Sequence, residues 1–191
     1  MSLIWDRTLG DFRDNLASRD PVPAGVSVAA VSACLGLSLL RKTLEIARRR
    51  KDFSGDAGWV AELLHRACVE SEDLTRLAEE DIAAYGEYMA RRKSEEESAA
   101  LRRAIEVPIA AGQAALEGLH LCAIARPFVP QSILPDYQTA AFLISAAVRA
   151  IASSIQANTQ HLTDQEFAEE VRRELRSMLQ IAQEISQRLL D

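Results

Sequence analysis

An acidic residue lies on the buried side of a predicted helix, where a carboxyl group can do acid–base chemistry. Asp81 continues a repeat of mostly apolar residues spaced four and three positions apart, which places it on one helix face between Ala78 and Tyr85. Burial of a carboxylate without a cationic partner costs several kcal/mol or raises its pKa. Two interpretations stay open for Asp81: a hydrogen-bonded structural acid that fixes helix register, or a catalytic acid or base. The repeat consists of Val60, Leu64, Ala67, Ser71, Leu74, Ala78, Asp81, Tyr85 and Tyr88.

A second carboxyl group, an amide and a run of cations complete the polar candidates. Asp136 opens a predicted helix, where the helix dipole favours a carboxylate. A helix cap is the simpler interpretation of Asp136, and proton transfer is the alternative. Asn158 lies near the end of the same helix, and Arg48 begins a basic run that suits a solvated helix end. Residue types alone therefore indicate a helical bundle with a polar cleft.

Metal binding and nucleophilic catalysis find little support in the sequence. His65 and Cys68 lie three apart on one predicted helix, but no second pair has the spacing of metal ligands. His120 and Cys122 point to different helix faces. The sequence contains no G-x-S-x-G elbow, P-loop or dinucleotide fingerprint. We therefore expect no metal site, and a small helical metal protein is the least supported functional class.

The segment DPVPAGVSVAAVSACLGLS, residues 20–38, is stiff at its start and then poor in bulky side chains. Pro21 and Pro23 predict an extended entry, after which a helix begins near Ala24. Small residues leave the surface of this helix shallow, so that a neighbouring backbone or a flat ligand can approach it closely. Tight helix packing is the simpler interpretation, and a ligand wall is the alternative.

The remaining pattern predicts an all-α bundle of long antiparallel helices in a single domain, residues 1–191. Hydrophobic residues make up 48% of the sequence and aromatic residues only 5%, a composition that favours helices over sheets. Capping boxes are predicted at Ser94 with Glu97 and at Thr163 with Glu166, and Pro108 is expected to kink or split its helix. Helices are predicted around 5–16, over 24–50 and 57–92, from 94 onward, over 136–158 and from 163 to 189, with a loop at 126–135.

Net charge and the pattern of cysteines indicate which partners and which cellular compartment to expect. A formal net charge of −6 argues against general nucleic-acid binding. Cys34, Cys68 and Cys122 are odd in number and widely separated, which is typical of reduced core cysteines. We find no signal peptide and no stretch of about 18 uncharged residues with membrane-like hydropathy, residues 21–40 being the nearest. These observations predict a cytoplasmic protein that does not bind a membrane.

Six short motifs occur along the chain: PVPAGVSVAA at 21–30, DIAAY at 81–85, VPI at 107–109, PDYQTA at 135–140, SIQAN at 154–158 and FAEE at 167–170. Their order and spacing resemble the formiminotransferase-cyclodeaminase C-terminal family, which includes bacterial methenyltetrahydrofolate cyclohydrolases. The resemblance covers nearly the whole chain. It implies an all-helical homodimer that takes a tetrahydrofolate derivative, with no cofactor besides the folate itself.

The resemblance implies chemistry on a one-carbon unit that bridges, or is about to bridge, N5 and N10 of the folate. Cyclohydrolases add water to a methenyl bridge, whereas cyclodeaminases let N10 attack a formimidoyl carbon and expel ammonia. Both reactions pass through a tetrahedral carbon and need a group that moves protons. Asp81 is the first candidate for this proton transfer, and Asp136 is the second.

The resemblance also implies which residues bind the substrate. Pro23, Gly25 and Ser27 belong to the small-residue segment that would form a flat wall for the pterin. Asn158 would hydrogen-bond the pterin or orient a carboxylate. Arg48 and the cations that follow it would attract the glutamate tail of the folate.

Several residues depart from the family pattern in the motifs expected to line the ligand. Ala24 and Val26 flank Gly25 where the family carries three glycines, Ser154 replaces an asparagine, and Gln138 replaces a glycine. Two function hypotheses follow. The first is a folate-dependent cyclodeaminase or cyclohydrolase, and the second is a non-catalytic or repurposed dimeric helical module that has lost the folate site.

Overall fold

The computed structural model describes residues 3–190, and in that range the chain forms six α-helices, three 3₁₀ turns and no strand. The predicted all-α architecture is therefore confirmed. The 3₁₀ turns are Ile4–Asp6, Arg126–Phe128 and Gln131–Ile133, and the last two occupy most of the predicted loop at 126–135. The helices are α1 (Leu9–Leu16), α2 (Gly25–Arg48), α3 (Ala57–Arg91), α4 (Glu97–Ala125), α5 (Leu134–Thr159) and α6 (Gln165–Leu190).

The four helices α2 to α5 form an antiparallel bundle that α6 covers on one side. Helix α2 packs against α3 and α5, and α4 packs against the same two helices. Helix α6 lies against α5 and α4. This order brings the beginning of α2, the later part of α3 and the end of α5 to the same end of the bundle.

Apolar residues that recur every three or four positions fill the core. In α3 the predicted repeat is buried at Val60, Ala67, Leu74, Ala78, Asp81 and Tyr88, and Leu63 and Leu77 widen this buried face. In α6 all but the last residue of the predicted face are buried, and none of the buried ones is more than 7% exposed. The buried residues are Phe167, Val171, Leu175, Met178, Ala182 and Ile185, whereas Leu189 is only partly buried.

The small residues of α2 allow close packing against α5. A Cβ atom added at Gly36 would lie 2.7 Å from Ile144 Cγ1 and 2.9 Å from the carbonyl oxygen of Ala140. Side chains in folded proteins do not approach other atoms so closely, and therefore glycine is required where the two helices cross. The packing interpretation of the small-residue segment applies to this middle part of α2.

The helix caps differ from both predicted capping boxes. At α4 the hydroxyl of Ser94 accepts from the backbone N–H of Glu96 at 3.2 Å instead of from Glu97, whose carboxylate accepts from the N–H of Lys93 at 2.7 Å. At α6 the cap is Asp164 instead of Thr163, because its Oδ1 accepts from the backbone N–H of Phe167 at 3.1 Å. In each case the chain offers two polar residues close together, and backbone geometry selects between them.

Of the two outcomes expected at Pro108, a kink or a split, the split does not occur, because helix α4 continues through Pro108. The first helix, predicted around 5–16, is interrupted, since Trp5 lies in a 3₁₀ turn and Leu9 is 78% exposed. Its predicted apolar stripe was Trp5, Leu9, Phe12 and Leu16. Of these, Phe12 is buried as predicted, and Ile4 adds a buried contact that was not predicted.

Hydropathy along the helices exceeds what the sequence pattern predicted. By length and composition alone, three helical segments are apolar enough to cross a membrane: Gly25–Arg48, Glu97–Phe128 and Gln131–Thr159, with mean hydropathies of 1.3, 1.3 and 1.5. The expectation that no segment reaches this level was wrong. Half or more of each apolar window is buried inside the bundle.

The three cysteines are free thiols with different access to solvent. Cys34 and Cys122 are buried, and burial raises the pKa of both, to about 12 for Cys122. Cys68 is partly exposed on α3. Thiolate formation at the two buried positions is therefore suppressed.

Candidate active site

A cleft of about 220 Å³ lies at the end of the bundle where α2 begins, α3 nears its end and α5 ends. It opens between the proline-rich entry to α2 and the last turns of α5. Small and polar side chains dominate its surface, which suits a flat polar ligand. The lining residues are Pro21, Val22, Ala24, Gly25, Val26, Asp81, Tyr85, Ser154, Ala157 and Asn158.

Asp81 is the acidic group of the cleft. Its side chain is only 7% exposed, and Ser27 Oγ donates a hydrogen bond to its Oδ2 at 3.3 Å. Burial raises the pKa of Asp81 from its usual 3.8 to about 6, against the smaller opposing effect of the Ser27 hydrogen bond. A carboxyl with this pKa exchanges its proton readily near neutral pH, as a general acid or base must.

The register of α3 places this acid. Ala78 and Asp81 are both buried on the face of α3 that packs against α2, and Ser27 is buried on α2 opposite them. Tyr85 follows Asp81 by one helical turn and lines the cleft. The ring of Tyr85 contacts that of Tyr88 edge to face, with centroids 6.1 Å apart, and this contact holds Tyr85 in place beside the cleft.

Asn158 faces the cleft from the last turns of α5. Its Nδ2 donates to the backbone carbonyl oxygen of Ala104 on α4 at 3.3 Å. That carbonyl lies four residues before Pro108, which has no N–H to donate to it. The amide of Asn158 therefore has a fixed partner on its nitrogen side.

The wall at the start of α2 is open enough for a ligand. Pro23 is buried beneath it after a cis peptide bond from Val22. Val26 is only 5% exposed and leaves the cleft open. An added Cβ at Gly25 would lie 3.2 Å from Ser154 Oγ, and so Gly25 packs closely against Ser154 while both residues line the cleft.

Asp136 and Arg48 lie at the opposite end of the bundle. Asp136 is in the first turn of α5, about 33 Å along the helix from Asn158, and pairs with Lys42 Nζ at 3.3 Å. Arg48 ends α2, about 35 Å from Gly25, and pairs with Glu45 at 2.7 Å. One copy of the chain therefore brings together five of the predicted site residues and not these two. The five are Pro23, Gly25, Ser27, Asp81 and Asn158.

Sequence reasoning overlooked several residues of the cleft. Tyr85 belongs to the repeat that carries Asp81, so its place one turn further along α3 was available as a signal. Ala157 had no signal beyond its position beside Asn158. Pro21 and Val22 line the cleft itself, although the sequence indicated them only as a stiff entry.

The other polar clusters do not provide a comparable centre. A larger groove of about 370 Å³ between α5 and α6 contains Arg172 and Arg176 but no carboxyl group. Within residues 3–190, no three His, Cys, Asp or Glu side chains are grouped so that they could hold a metal ion. His65 is exposed on α3.

Carboxyl groups also line a groove of about 340 Å³ with Glu87 and Glu96, and one of about 240 Å³ with Asp52, but arginine side chains lie beside the acids in both. Asp81 differs from these acids because it is buried and its pKa is raised to about 6.

Comparisons with known proteins agree with this fold. The family model described as formiminotransferase-cyclodeaminase matches residues 8–177. The methenyltetrahydrofolate cyclohydrolase of Methylorubrum extorquens is 26% identical, over 97% of this chain and 95% of its own length. The crystal structure of formiminotetrahydrofolate cyclodeaminase from Thermotoga maritima superposes with a TM-score of 0.92 at 22% identity, covering 97% of this chain and 95% of the other. The chain belongs to the formiminotransferase-cyclodeaminase family.

Proposed function

We propose that this protein is a folate enzyme that acts on the one-carbon unit between N5 and N10 of tetrahydrofolate. The observation that supports it most is a buried carboxyl group with a pKa of about 6, Asp81, in a cleft with small walls. The curated relative named as a cyclohydrolase supports hydrolysis of a methenyl bridge. The structural neighbour named as a cyclodeaminase has the same fold, so that deamination of a formimidoyl group is the second candidate.

In hydrolysis, Asp81 would move one proton twice. As a carboxylate it accepts a proton from water while the water oxygen bonds to the methenyl carbon, which becomes tetrahedral. The protonated carboxyl then returns the proton to N5 as the N5–carbon bond breaks. The second proton leaves the new hydroxyl group, and the product carries a formyl group on N10. This sequence consumes one water and needs no further cofactor.

In deamination, the same group would act on different atoms. The formimidoyl group starts as its amidinium form, with =NH2+ on the carbon. N10 attacks this carbon, which becomes tetrahedral and carries an NH2 group, and Asp81 accepts the N10 proton. The carboxyl then protonates the NH2 group, which leaves as ammonia, and the positively charged methenyl bridge remains. Both reactions need a proton carrier with a pKa near the working pH, which burial of Asp81 supplies.

We also propose that the enzyme works as a homodimer through the outer faces of α2 and α5. Both helices are apolar enough in length and composition to cross a membrane, yet only 56% and 50% of their apolar windows are buried in one chain. Leu35 is 52% exposed on α2, and the exposed alanines Ala146 and Ala150 lie on α5. A two-fold interface pairs such a face with itself and removes it from water.

A dimer of this kind would bring Asp136 and Arg48 of one chain near the cleft of the other. Both residues lie about 30 Å or more from the cleft of their own chain, as helix lengths show. If two α2 helices cross antiparallel, the end of one lies beside the beginning of the other. Only a second copy of the chain could therefore bring these residues near a bound folate.

The assay follows the near-ultraviolet absorbance of 5,10-methenyltetrahydrofolate, with ammonia release from 5-formimidoyltetrahydrofolate measured in parallel. We expect turnover of one substrate by the parent protein, and a loss of about 10²–10⁴-fold in kcat for Asp81→Asn. Asp73→Asn is the matched control, because it makes the same change on α3 at a residue that pairs with Arg76 outside the cleft.

Two outcomes would contradict the proposal. Turnover by Asp81→Asn at the parental rate would remove Asp81 from the mechanism. Absence of both reactions, together with no thermal stabilisation by 5-formyltetrahydrofolate far above micromolar concentration, would identify a non-catalytic helical module.

A further inference from the structure

Pro108 leaves one backbone carbonyl of α4 without its usual helical donor. In an α-helix the carbonyl of residue 104 accepts from the N–H of residue 108, and proline has no such hydrogen. Helix α4 nevertheless continues through Pro108, which is buried, and Ala104 is only 2% exposed. A buried carbonyl needs a donor from elsewhere in the chain.

Asn158 supplies that donor from the neighbouring helix. Its Nδ2 lies 3.3 Å from the carbonyl oxygen of Ala104. A side-chain amide has a donating nitrogen at one end and an accepting oxygen at the other. Rotation of the amide by 180° would bring Oδ1 against the oxygen of Ala104, and two acceptors repel each other. The contact with Ala104 therefore fixes the orientation of the Asn158 amide, with Nδ2 toward Ala104 and Oδ1 on the other side.

The oxygen of Asn158 is the atom left for a ligand. Asn158 lines the cleft beside Asp81, and within residues 3–190 no donor reaches its Oδ1. An amide that could rotate freely would accept from some ligands and donate to others. One of the two N–H groups of Nδ2 is bound to Ala104, which fixes the position of Oδ1 as the acceptor that Asn158 offers to a ligand.

We propose that Pro108 is a positioning residue that orients Asn158, and that the cleft consequently selects a ligand edge carrying N–H donors. For the identity of the ligand this proposal rests on the proposed folate function, because a pterin edge carries an amino group and a ring N–H. The orientation of Asn158 itself does not depend on that function. A heterocycle with only acceptors on this edge would meet Oδ1 unfavourably and bind weakly.

The binding test is a double-mutant cycle with 5-formyltetrahydrofolate as the probe. Pro108→Ala restores an N–H that competes with Asn158 for the carbonyl of Ala104. We expect Pro108→Ala to raise the Kd about tenfold and to keep or raise the midpoint of thermal unfolding, since alanine suits a helix interior better than proline. In an Asn158→Ala background, Pro108→Ala should leave the Kd unchanged, because no amide remains to be oriented.

Two results would overturn the proposal. One is an unchanged Kd for Pro108→Ala when the parent binds the probe. The other is an equal loss of affinity with and without Asn158, which would indicate a packing effect of the proline ring. A purely structural role also predicts lower stability together with weaker binding, instead of weaker binding alone.

A second measurement separates this proposal from the proposed function. The side-chain NH₂ resonances of Asn158, assigned by their loss in Asn158→Ala, report the hydrogen bond to Ala104 without any ligand. We expect them to shift in Pro108→Ala and to exchange faster with water. If the parent protein binds no folate, the proposed function fails while this spectrum still decides the orientation. Unchanged resonances in Pro108→Ala would refute the role of the proline.

Discussion

Two opposing influences set the pKa of Asp81: burial raises it and the hydrogen bond from Ser27 lowers it, with burial the stronger. The folded chain therefore holds the proton more tightly than the unfolded chain. The contribution of this group to folding stability is largest below pH 3.8 and is lost as the pH rises through about 6. The carboxylate that the mechanism requires is thus a cost to the fold.

Asp81→Asn should remove this cost. We expect the free energy of unfolding of the variant to exceed that of the parent at pH 8, by at most about 3 kcal/mol, since asparagine can still accept from Ser27. The difference should shrink as the pH falls through about 6 and should vanish below pH 3.8, where Asp81 is protonated in both the folded and the unfolded chain. Urea unfolding at several pH values measures it, and a gap that is constant with pH would contradict the raised pKa of Asp81.

At the scale of residues, the sequence alone was enough to predict Asp81 as the acid. The residues that surround Asp81 in the cleft could be predicted only in part. A carboxylate in an apolar repeat identifies Asp81 without a structure, because a helix places every third or fourth residue on one face. Pro108 likewise reveals that the carbonyl of Ala104 lacks a donor. The sequence does not show that Asn158, 54 residues later, supplies it, because that contact depends on how α4 and α5 pack.

At the scale of elements, the two glycines at 36 and 86 provide a test of helix packing. A Cβ at Gly36 would lie 2.9 Å from the backbone oxygen of Ala140, whereas a Cβ at Gly86 would meet nothing within 4 Å. Gly36→Ala should therefore destabilise the protein by about 1–3 kcal/mol as α2 and α5 are forced apart. Gly86→Ala should stabilise it by about 0.5–1 kcal/mol through helix propensity alone.

Thermal or urea unfolding of these two variants measures the difference. Equal effects of the two substitutions would show that α2 and α5 are not as close as the position of Gly36 indicates.

The long helices themselves were predicted within about three residues at most ends, because apolar periodicity extends over many turns. The capping residues were not predicted correctly. Thr163 and Asp164 are both suitable N-cap residues, and only the backbone conformation selects Asp164.

At the scale of the whole molecule, the outer face of α2 tests the proposed dimer. Leu35→Glu would place a charge in the centre of an apolar interface, where burial of an unpaired carboxylate is costly. We expect sedimentation analysis to show a dimer for the parent and a shift toward monomer for the variant. Leu9→Glu is the control, because Leu9 is 78% exposed and belongs to α1, which is neither of the two helices of the proposed interface. A monomeric parent protein would contradict the proposal.

Unequal access to the three thiols also gives the molecule a built-in attachment point. Cys34 and Cys122 are buried with raised pKa values, while Cys68 is partly exposed. A maleimide dye should therefore label one position per chain, about 20 Å along α3 from Asp81. Energy transfer between that dye and a fluorescent folate would then report binding of the folate in the cleft, and no engineered cysteine would be needed.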